Sequence, residues 1–246
     1  MIVTWLFAVR IHNASIVDIV WSGIFAVLAL FYAIMGDGYG PRKLLFFLMV
    51  STWSIRLAYY LFKRIKGHHP AEDARYAQLR KEWEPAPNFR FLVFFELQGI
   101  FNILLSIPFL LVCMNSKVVL LPVEFLGAAV WLVGVIGEST SDGQLSRFKK
   151  DPVNRGKTMD QGLWRYSRHP NYFFEWVIWC GYFIFALGSP YGWVSVYCPI
   201  LMYYVLTRIT GVPMAEEQSI KSRGDEYRNY QKRTSVFFPW RPKKVS

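Results

Sequence analysis

Gly162-Leu163-Trp164-Arg165-Tyr166-Ser167-Arg168-His169-Pro170-Asn171-Tyr172-Phe173-Phe174-Glu175-Trp176 is the stretch on which the reading of this chain turns. It leads from a basic loop into an apolar segment. Arg165, Arg168, His169, Asn171, Tyr172 and Glu175 fall within eleven of its residues. Pro170 ends the preceding turn or opens a helix, since proline is tolerated in a helix's first turn. Asn171 and Glu175 then stand four apart on one helical face. An amide and a carboxylate entering a membrane side by side call for a partner, because burying an unmet polar group is expensive.

That the segment enters a membrane follows from composition. Of 246 residues, 53% are hydrophobic, and 20 Phe, 14 Tyr and 10 Trp exceed what a soluble domain of this size carries. Membrane proteins place such aromatics at their two interfaces. The mean hydropathy of +0.22 agrees. The expected fold class is all-α: a polytopic membrane helix bundle with helical cytosolic loops and tail, forming one integral membrane domain over residues 1–246. The net charge of +11 does not indicate nucleic acid, because no basic soluble domain or recognition motif accompanies it. It fits basic loops on the cytosolic side, affinity for a phosphorylated cofactor, or both. Cys113, Cys180 and Cys198 lie in or beside apolar segments without a C-x-x-C spacing and read as small buried hydrophobes. Residues 1–9 lack a basic start and a cleavage site, so they do not read as a signal peptide.

Six segments approach the ~20 apolar residues that a spanning helix needs: 16–35, 44–62, 89–114, 118–137, 172–188 and 192–210. A seventh would require residues 1–9 to span. Pro108 and Pro199 are expected to kink the third and sixth. Residues 63–90, 138–170 and 208–246 hold 23 of the 28 Lys and Arg. Cytosolic loops are enriched in these residues, so all three, and both termini, are expected in the cytosol.

Several charges lie inside the spans. Asp18, Arg56, Glu96, Gln98, Asn102, Glu138 and Glu175 occupy the cytosolic halves of their segments, and Glu124 lies near an outer end. Any one alone reads equally as a paired structural charge. Together they suggest a polar cavity open to the cytosol. Trp53, Arg56 and Tyr60 share one face of the second span. Glu72-Asp73-Ala74-Arg75-Tyr76 suits a short surface helix. The tail from Pro213 suits an amphipathic helix with Glu216 and Glu217 in its first turn, broken near Gly224. Phe237-Phe238-Pro239-Trp240 reads as an interfacial anchor.

Absent motifs narrow the chemistry. Gly36-Asp37-Gly38-Tyr39-Gly40 follows no strand, lacks the dinucleotide spacing and reads as a turn. Four histidines, His12, His68, His69 and His169, are too few for a membrane di-iron enzyme. No G-x-S-x-G or H-E-x-x-H is present. Any cofactor must be held by helices and basic loops.

Residues 162–176, with Trp53-Ser54-Ile55-Arg56-Leu57, Glu72-Asp73-Ala74-Arg75-Tyr76, Ser141-Asp142, and Tyr227 and Tyr230 ahead of Phe238-Pro239-Trp240, resemble the steroid 5-alpha-reductase family and its bacterial relatives. Sterol C14 and C7 reductases look similar at the same place, the signature region covering about 138–240. The resemblance implies a bundle holding NADPH in a cytosol-facing cavity. It implies that Asn171 binds the nicotinamide end with Glu175 one turn on, and that Glu138 and Asp142 contact the cofactor. Lys149 and Lys157 match arginines that hold its phosphates, and Arg64 matches a polar residue after the second span. Arg75, Tyr76, Arg168, His169, Tyr172, Tyr227 and Tyr230 complete the cofactor set that the resemblance implies. The reaction would add hydride to a C=C bond conjugated to a carbonyl in a lipophilic substrate. Charge building on that oxygen needs a donor in a dry pocket. Trp53 stands where the family has a tyrosine. Asp18, if kept protonated by burial, could polarise the carbonyl, and Arg56 beside it would instead neutralise it.

Isoprenylcysteine and phospholipid methyltransferases also combine an Arg-His-Pro-x-Tyr turn, a Glu-Glu pair and a Tyr-x-x-Tyr tail. The chain has all three, so an S-adenosylmethionine-dependent methyltransferase is the alternative. A non-catalytic lipid-binding protein is a second one. Asn171 with Glu175 behind it, and Gly162-Leu163-Trp164, favour the reductase.

Overall fold

Backbone amides in hydrocarbon must find partners within their own segment, and the apolar runs of this chain accordingly wind into helices. The computed structural model describes residues 1–67 and 71–244; His68 and His69 lie outside them. The helices are α1 (Ile2–Arg10), α2 (Ile16–Met35), α3 (Gly40–Lys66), α4 (Ala74–Glu82), α5 (Pro87–Leu105), α6 (Ile107–Cys113), α7 (Pro122–Lys150), α8 (Pro170–Ala186), α9 (Tyr197–Tyr204), α10 (Val212–Arg223) and α11 (Asp225–Arg233). No strand occurs among the described residues, only an isolated bridge from Ser167 to Ser235.

Four helices are long and apolar enough to cross a membrane: α2, α3, the continuous α5–α6 run Pro87–Cys113, and α7. They cover the first four expected spans. The bend expected from Pro108 appears as a break at Ser106, between α5 and α6. A proline cannot donate to the preceding turn and crowds its carbonyl. The fifth expected span, a short one, is α8, and the sixth differs in its winding. α8 has 17 residues, about 26 Å at 1.5 Å per residue. The sixth is helical throughout but changes its winding: a 3₁₀ turn, Gly192–Val196, leads into the eight residues of α9, which pass into a π turn, Val205–Ile209. Pro199 sits in the first turn of α9, three residues past the end of the 3₁₀ turn, so the change from 3₁₀ to α winding falls where a kink was expected. α1 is helical, but its nine residues reach only about 13 Å.

The chain forms two compact units, Met1–Leu120 with Ser189–Gly192, and Leu121–Gly188 with Trp193–Ser246. In the first, α2 and α3 are tied by the Ser54 hydroxyl donating to the Ser22 carbonyl at 2.5 Å. Phe25, wholly buried, packs at 5.4 Å from Trp53 and 6.1 Å from Phe109. Gly38 forms the expected turn; its N–H donates to the Cys113 carbonyl at 2.9 Å, and a side chain there would overlap that carbonyl. Arg42, which nothing in its local sequence singles out, is fully buried and donates to the carbonyls of Asn115, Lys117 and Val119. It closes a loop whose carbonyls have no helix to satisfy them.

In the second unit α7 and α8 pack backbone to backbone. A Cβ on Gly181 would sit 2.6 Å from the Trp131 nitrogen, and one on Gly127 would overlap the Phe185 backbone. Small residues at such crossings give membrane helices their close packing. Glu124, the expected charge at an outer end, is buried and accepts from the Leu121 N–H at 2.6 Å. It caps the start of α7, where the helix dipole favours an anion. Leu126, Leu132, Val133 and Ile136 leave the outer face of α7 apolar and exposed.

Candidate functional site

Pro170 opens α8 at its first position, so Asn171 and Glu175 rise along one face as their spacing requires. α7 meets that face with its own pair one turn apart, Glu138 and Asp142, both buried. The Asn171 side-chain amide donates to Asp142 Oδ1 at 3.4 Å. Glu175 accepts from the Trp179 indole at 2.9 Å. Two turns further along α8 the wholly buried Tyr182 hydroxyl accepts from the Trp131 indole at 3.2 Å. Asn171 Oδ1 is buried and has no hydrogen-bond partner among the described residues. Within an apolar helix pair this is an open acceptor in a polar ladder, and such a group is costly unless something meets it.

Lys149 and Lys157 are exposed, one on the last turn of α7 and one in the loop after it. Beside them lies a surface recess of about 340 Å³ lined by Gln144, Arg147, Phe148, Asn154, Gln161 and Gly162. Gln144 Oε1 accepts from the Leu163 N–H at 3.0 Å, and Gly162 has a φ of +56°, a conformation suited to glycine. Gln144 and Arg147 were not legible as site residues, since nothing in their local pattern separates them from a solvated helix end.

Arg168, His169, Tyr172, Tyr227 and Tyr230 form a second group in the same unit. Its centre is Glu216, which the sequence marks only as a first-turn acid. Glu216 Oε1 accepts from Arg168 Nε at 2.6 Å and lies 3.3 Å from His169 Nε2, while Oε2 accepts from Gln231 at 2.8 Å. The Tyr227 hydroxyl reaches it at 3.5 Å. Burial favours the neutral acid. Hydrogen bonds from His169 and Arg168, with the charge of Arg168, outweigh it and hold Glu216 at about 2. Burial lowers His169 below its ordinary value despite Glu216, and it pushes Tyr227 up to about 12. The His169 ring stacks on Tyr172. Tyr230 donates to the Trp164 carbonyl, and Trp164 donates to the Ser141 carbonyl at 3.0 Å. These side chains thus tie α10 and α11 to residues 162–169. Gly224, with a φ of +56°, breaks the tail helix where expected. Glu217 points outward and pairs with Lys221 at 2.6 Å, so the Glu-Glu pair does not converge on one point.

The first unit holds a third group. Asp18 accepts from Arg75 Nη2 at 2.8 Å and from the Tyr76 hydroxyl, with Arg64 at 3.7 Å. Asp73 binds Arg75 at 3.0 Å and Arg64 at 3.2 Å, and accepts the Arg75 N–H that starts α4, the expected surface helix. Burial works against charge on both Arg75 and Asp73, but the charge of Asp18 and the bond to Asp73 raise Arg75, and Arg75 with Arg64 lowers Asp73. Burial and the charge of Asp18 push the Tyr76 phenol up. Asp18 thus accepts from one guanidinium and one phenol, with a second guanidinium within ion-pair distance. Its neutralising partners are Arg75 and Arg64 rather than Arg56. Trp53 is wholly buried beside Phe25, and Arg56 is half-buried on the same face of α3.

The fold and this acid–amide ladder define an all-α membrane helix bundle with a buried polar site. A family profile described as protein of unknown function (DUF1295) matches residues 4–234, and the chain belongs to that family. An uncharacterized protein of Schizosaccharomyces pombe is 24% identical over 270 residues, covering 96% of this chain and 76% of its own length. The 3-oxo-5-alpha-steroid 4-dehydrogenase 1 of Bos taurus is 39% identical over 67 residues, 27% of this chain and 26% of that protein. A second uncharacterized Schizosaccharomyces pombe protein is 32% identical over 87 residues, 28% of this chain and 31% of its own length. No solved structure matches the chain.

Proposed function

We propose that this protein is a membrane reductase that uses NADPH to saturate a C=C bond conjugated to a carbonyl in a lipophilic substrate. The observation that carries the reading is the open, buried Asn171 Oδ1 beside Asp142. A carboxamide N–H is the donor that such an acceptor suits, and Asp142 is an acceptor alongside for an amide or hydroxyl. The residues fit the cofactor: Asn171, Asp142, Glu138 and Glu175 would hold its nicotinamide end, and Lys149, Lys157 and Arg147 its phosphates. When bound, the cofactor would supply hydride to the β-carbon of the enone, and a proton from water would complete the α-carbon. The ladder's part is to orient and to exclude water, with Trp179 and Trp131 closing it from below. The partners of Asp18, two arginines and a tyrosine, fit a structural clamp better than a carbonyl donor. The partial likeness to a steroid dehydrogenase supports a hydrophobic enone as substrate class.

Purified protein is melted in detergent with NADPH, NADH or S-adenosylmethionine. A ligand at 100 times its Kd stabilises the native state by about 2.7 kcal/mol, so NADPH should raise Tm by several degrees. Asn171→Ala should extract and melt normally yet lose that shift. Stabilisation by S-adenosylmethionine alone would replace the reductase with the methyltransferase. An unchanged NADPH shift in the variant would remove Asn171 from the site.

A further inference from the structure

The C-terminal tail builds a cationic recess that the reductase chemistry leaves unused. The tail is pinned to the loop before α8: the Arg168 N–H donates to the Ser235 carbonyl at 2.8 Å, and the Trp240 N–H to the Tyr166 carbonyl at 2.9 Å. The Lys243 N–H returns to the Arg233 carbonyl at 2.8 Å. These bonds enclose about 360 Å³ lined by Arg168, Lys232, Arg233, Arg241, Lys243 and Trp240, and by no acidic side chain. Arg168 is neutralised by Glu216 and Arg233 by Asp160. Lys232 bonds the neutral Asn229. Lys232, Arg241 and Lys243 have no carboxylate partner among the described residues. Three like charges gathered around one hollow repel unless an anion sits among them.

The depth of the recess narrows the choice of anion. Phe237 and Phe238 pack edge-on against Phe173 and Trp176, on the first two turns of α8. The tail is therefore held at the level where an apolar helix begins. There Trp240 remains 74% exposed and Phe238 48% exposed. Exposed aromatics beside Lys and Arg at that level mark the headgroup region of a bilayer. A soluble phosphate would need the cations but not the aromatic rim.

We propose that this recess binds the phosphate of an anionic phospholipid headgroup, with Arg241, Lys243 and Lys232 on the phosphate and Trp240 against the lipid. The site is stoichiometric, unlike the diffuse attraction of basic loops to an anionic leaflet.

The full chain is analysed by native mass spectrometry from micelles doped with equal phosphatidylglycerol and phosphatidylcholine. The parent should keep one phosphatidylglycerol. Arg241→Gln with Lys243→Gln should lower its occupancy at least tenfold, and Lys243→Gln alone about threefold. Both side chains are exposed, so Tm should not move. Lys63→Gln with Lys66→Gln removes the same charge from the end of α3 and should leave occupancy unchanged. Equal losses in the two double variants would mean diffuse attraction and overturn the proposal. So would equal retention of phosphatidylcholine, or complete displacement of the lipid by millimolar inorganic phosphate.

Discussion

Glu216→Gln removes one charge from the group that ties the tail to residues 162–169, with almost no change in volume. The parent carboxylate is held at about 2 against an ordinary 4.5. At about 1.4 kcal/mol per pKa unit, this amounts to roughly 3 kcal/mol in favour of the folded chain at neutral pH. Its side chain is 17% exposed and that of Arg168 is 11% exposed, so solvent screening takes little from it. Breaking a buried pair costs roughly 3–5 kcal/mol by mutagenesis. Glutamine keeps a carbonyl acceptor for Arg168, which places the expected loss at about 2–3 kcal/mol. For a chain of this size each kcal/mol moves Tm by about 2–4 °C, so the variant should melt roughly 5–10 °C lower at pH 7 in detergent. The pH dependence has a definite sign. A carboxylate with a lowered folded pKa stabilises fully above its unfolded value, 4.5, and loses that contribution as pH falls toward about 2. The gap between parent and variant should hold from pH 7 to about 5 and shrink by about half at pH 3. Melting curves across that range measure it. A gap below about 2 °C at pH 7, or one that stays constant down to pH 3, would refute the assignment.

Asp18→Asn removes one of the two carboxylates, Asp18 and Asp73, that Arg75 and Arg64 share. With side chains 16%, 29% and 35% exposed, the loss should be about 2 kcal/mol, less than for a fully buried pair. A double-mutant cycle with Arg75→Gln should return a coupling of roughly 1 kcal/mol or more; additive effects would show that the pair does not interact. Gly181→Leu should abolish monodisperse protein, because its Cβ alone would lie 2.6 Å from the Trp131 nitrogen. Gly40→Ala, with open space around it, should melt at or slightly above the parent, since alanine favours helix by up to about 1 kcal/mol. Normal size-exclusion behaviour of Gly181→Leu would contradict the close α7–α8 packing.

Much of the fold was legible because the membrane imposes a local rule. Hydrocarbon forces each apolar run to satisfy its own backbone, so run length and proline position suffice to find α2, α3, α5–α6 and α7 and the break ahead of Pro108. α8 began at Pro170 for the same local reason. The changes of winding along the sixth segment were not legible. Its apolarity is continuous through 192–206, across the passage from the 3₁₀ turn to α9 and into the π turn at Val205–Ile209.

Side-chain partnership behaved differently. Periodicity put Asn171 and Glu175 on one face, and Glu138 and Asp142 one turn apart, but could not say that the two faces meet at an Asn171–Asp142 contact of 3.4 Å. Asp18 looked like a lone acid near a lone arginine. Its true partners, Arg75 and Tyr76, lie 57 and 58 residues away. Glu216 and Glu217 are neighbours of identical chemistry, yet one is the centre of a buried group and the other is solvated. That difference is one of helical phase against a neighbouring element, and phase has no meaning until the neighbour is in place. The sequence alone therefore determined that this chain is a helical membrane protein with too many polar groups inside it. Only the tertiary structure decided which of them neutralise one another and which, like Asn171 Oδ1, are left open, because charge and hydrogen bonding act across distances in space that sequence separation does not encode.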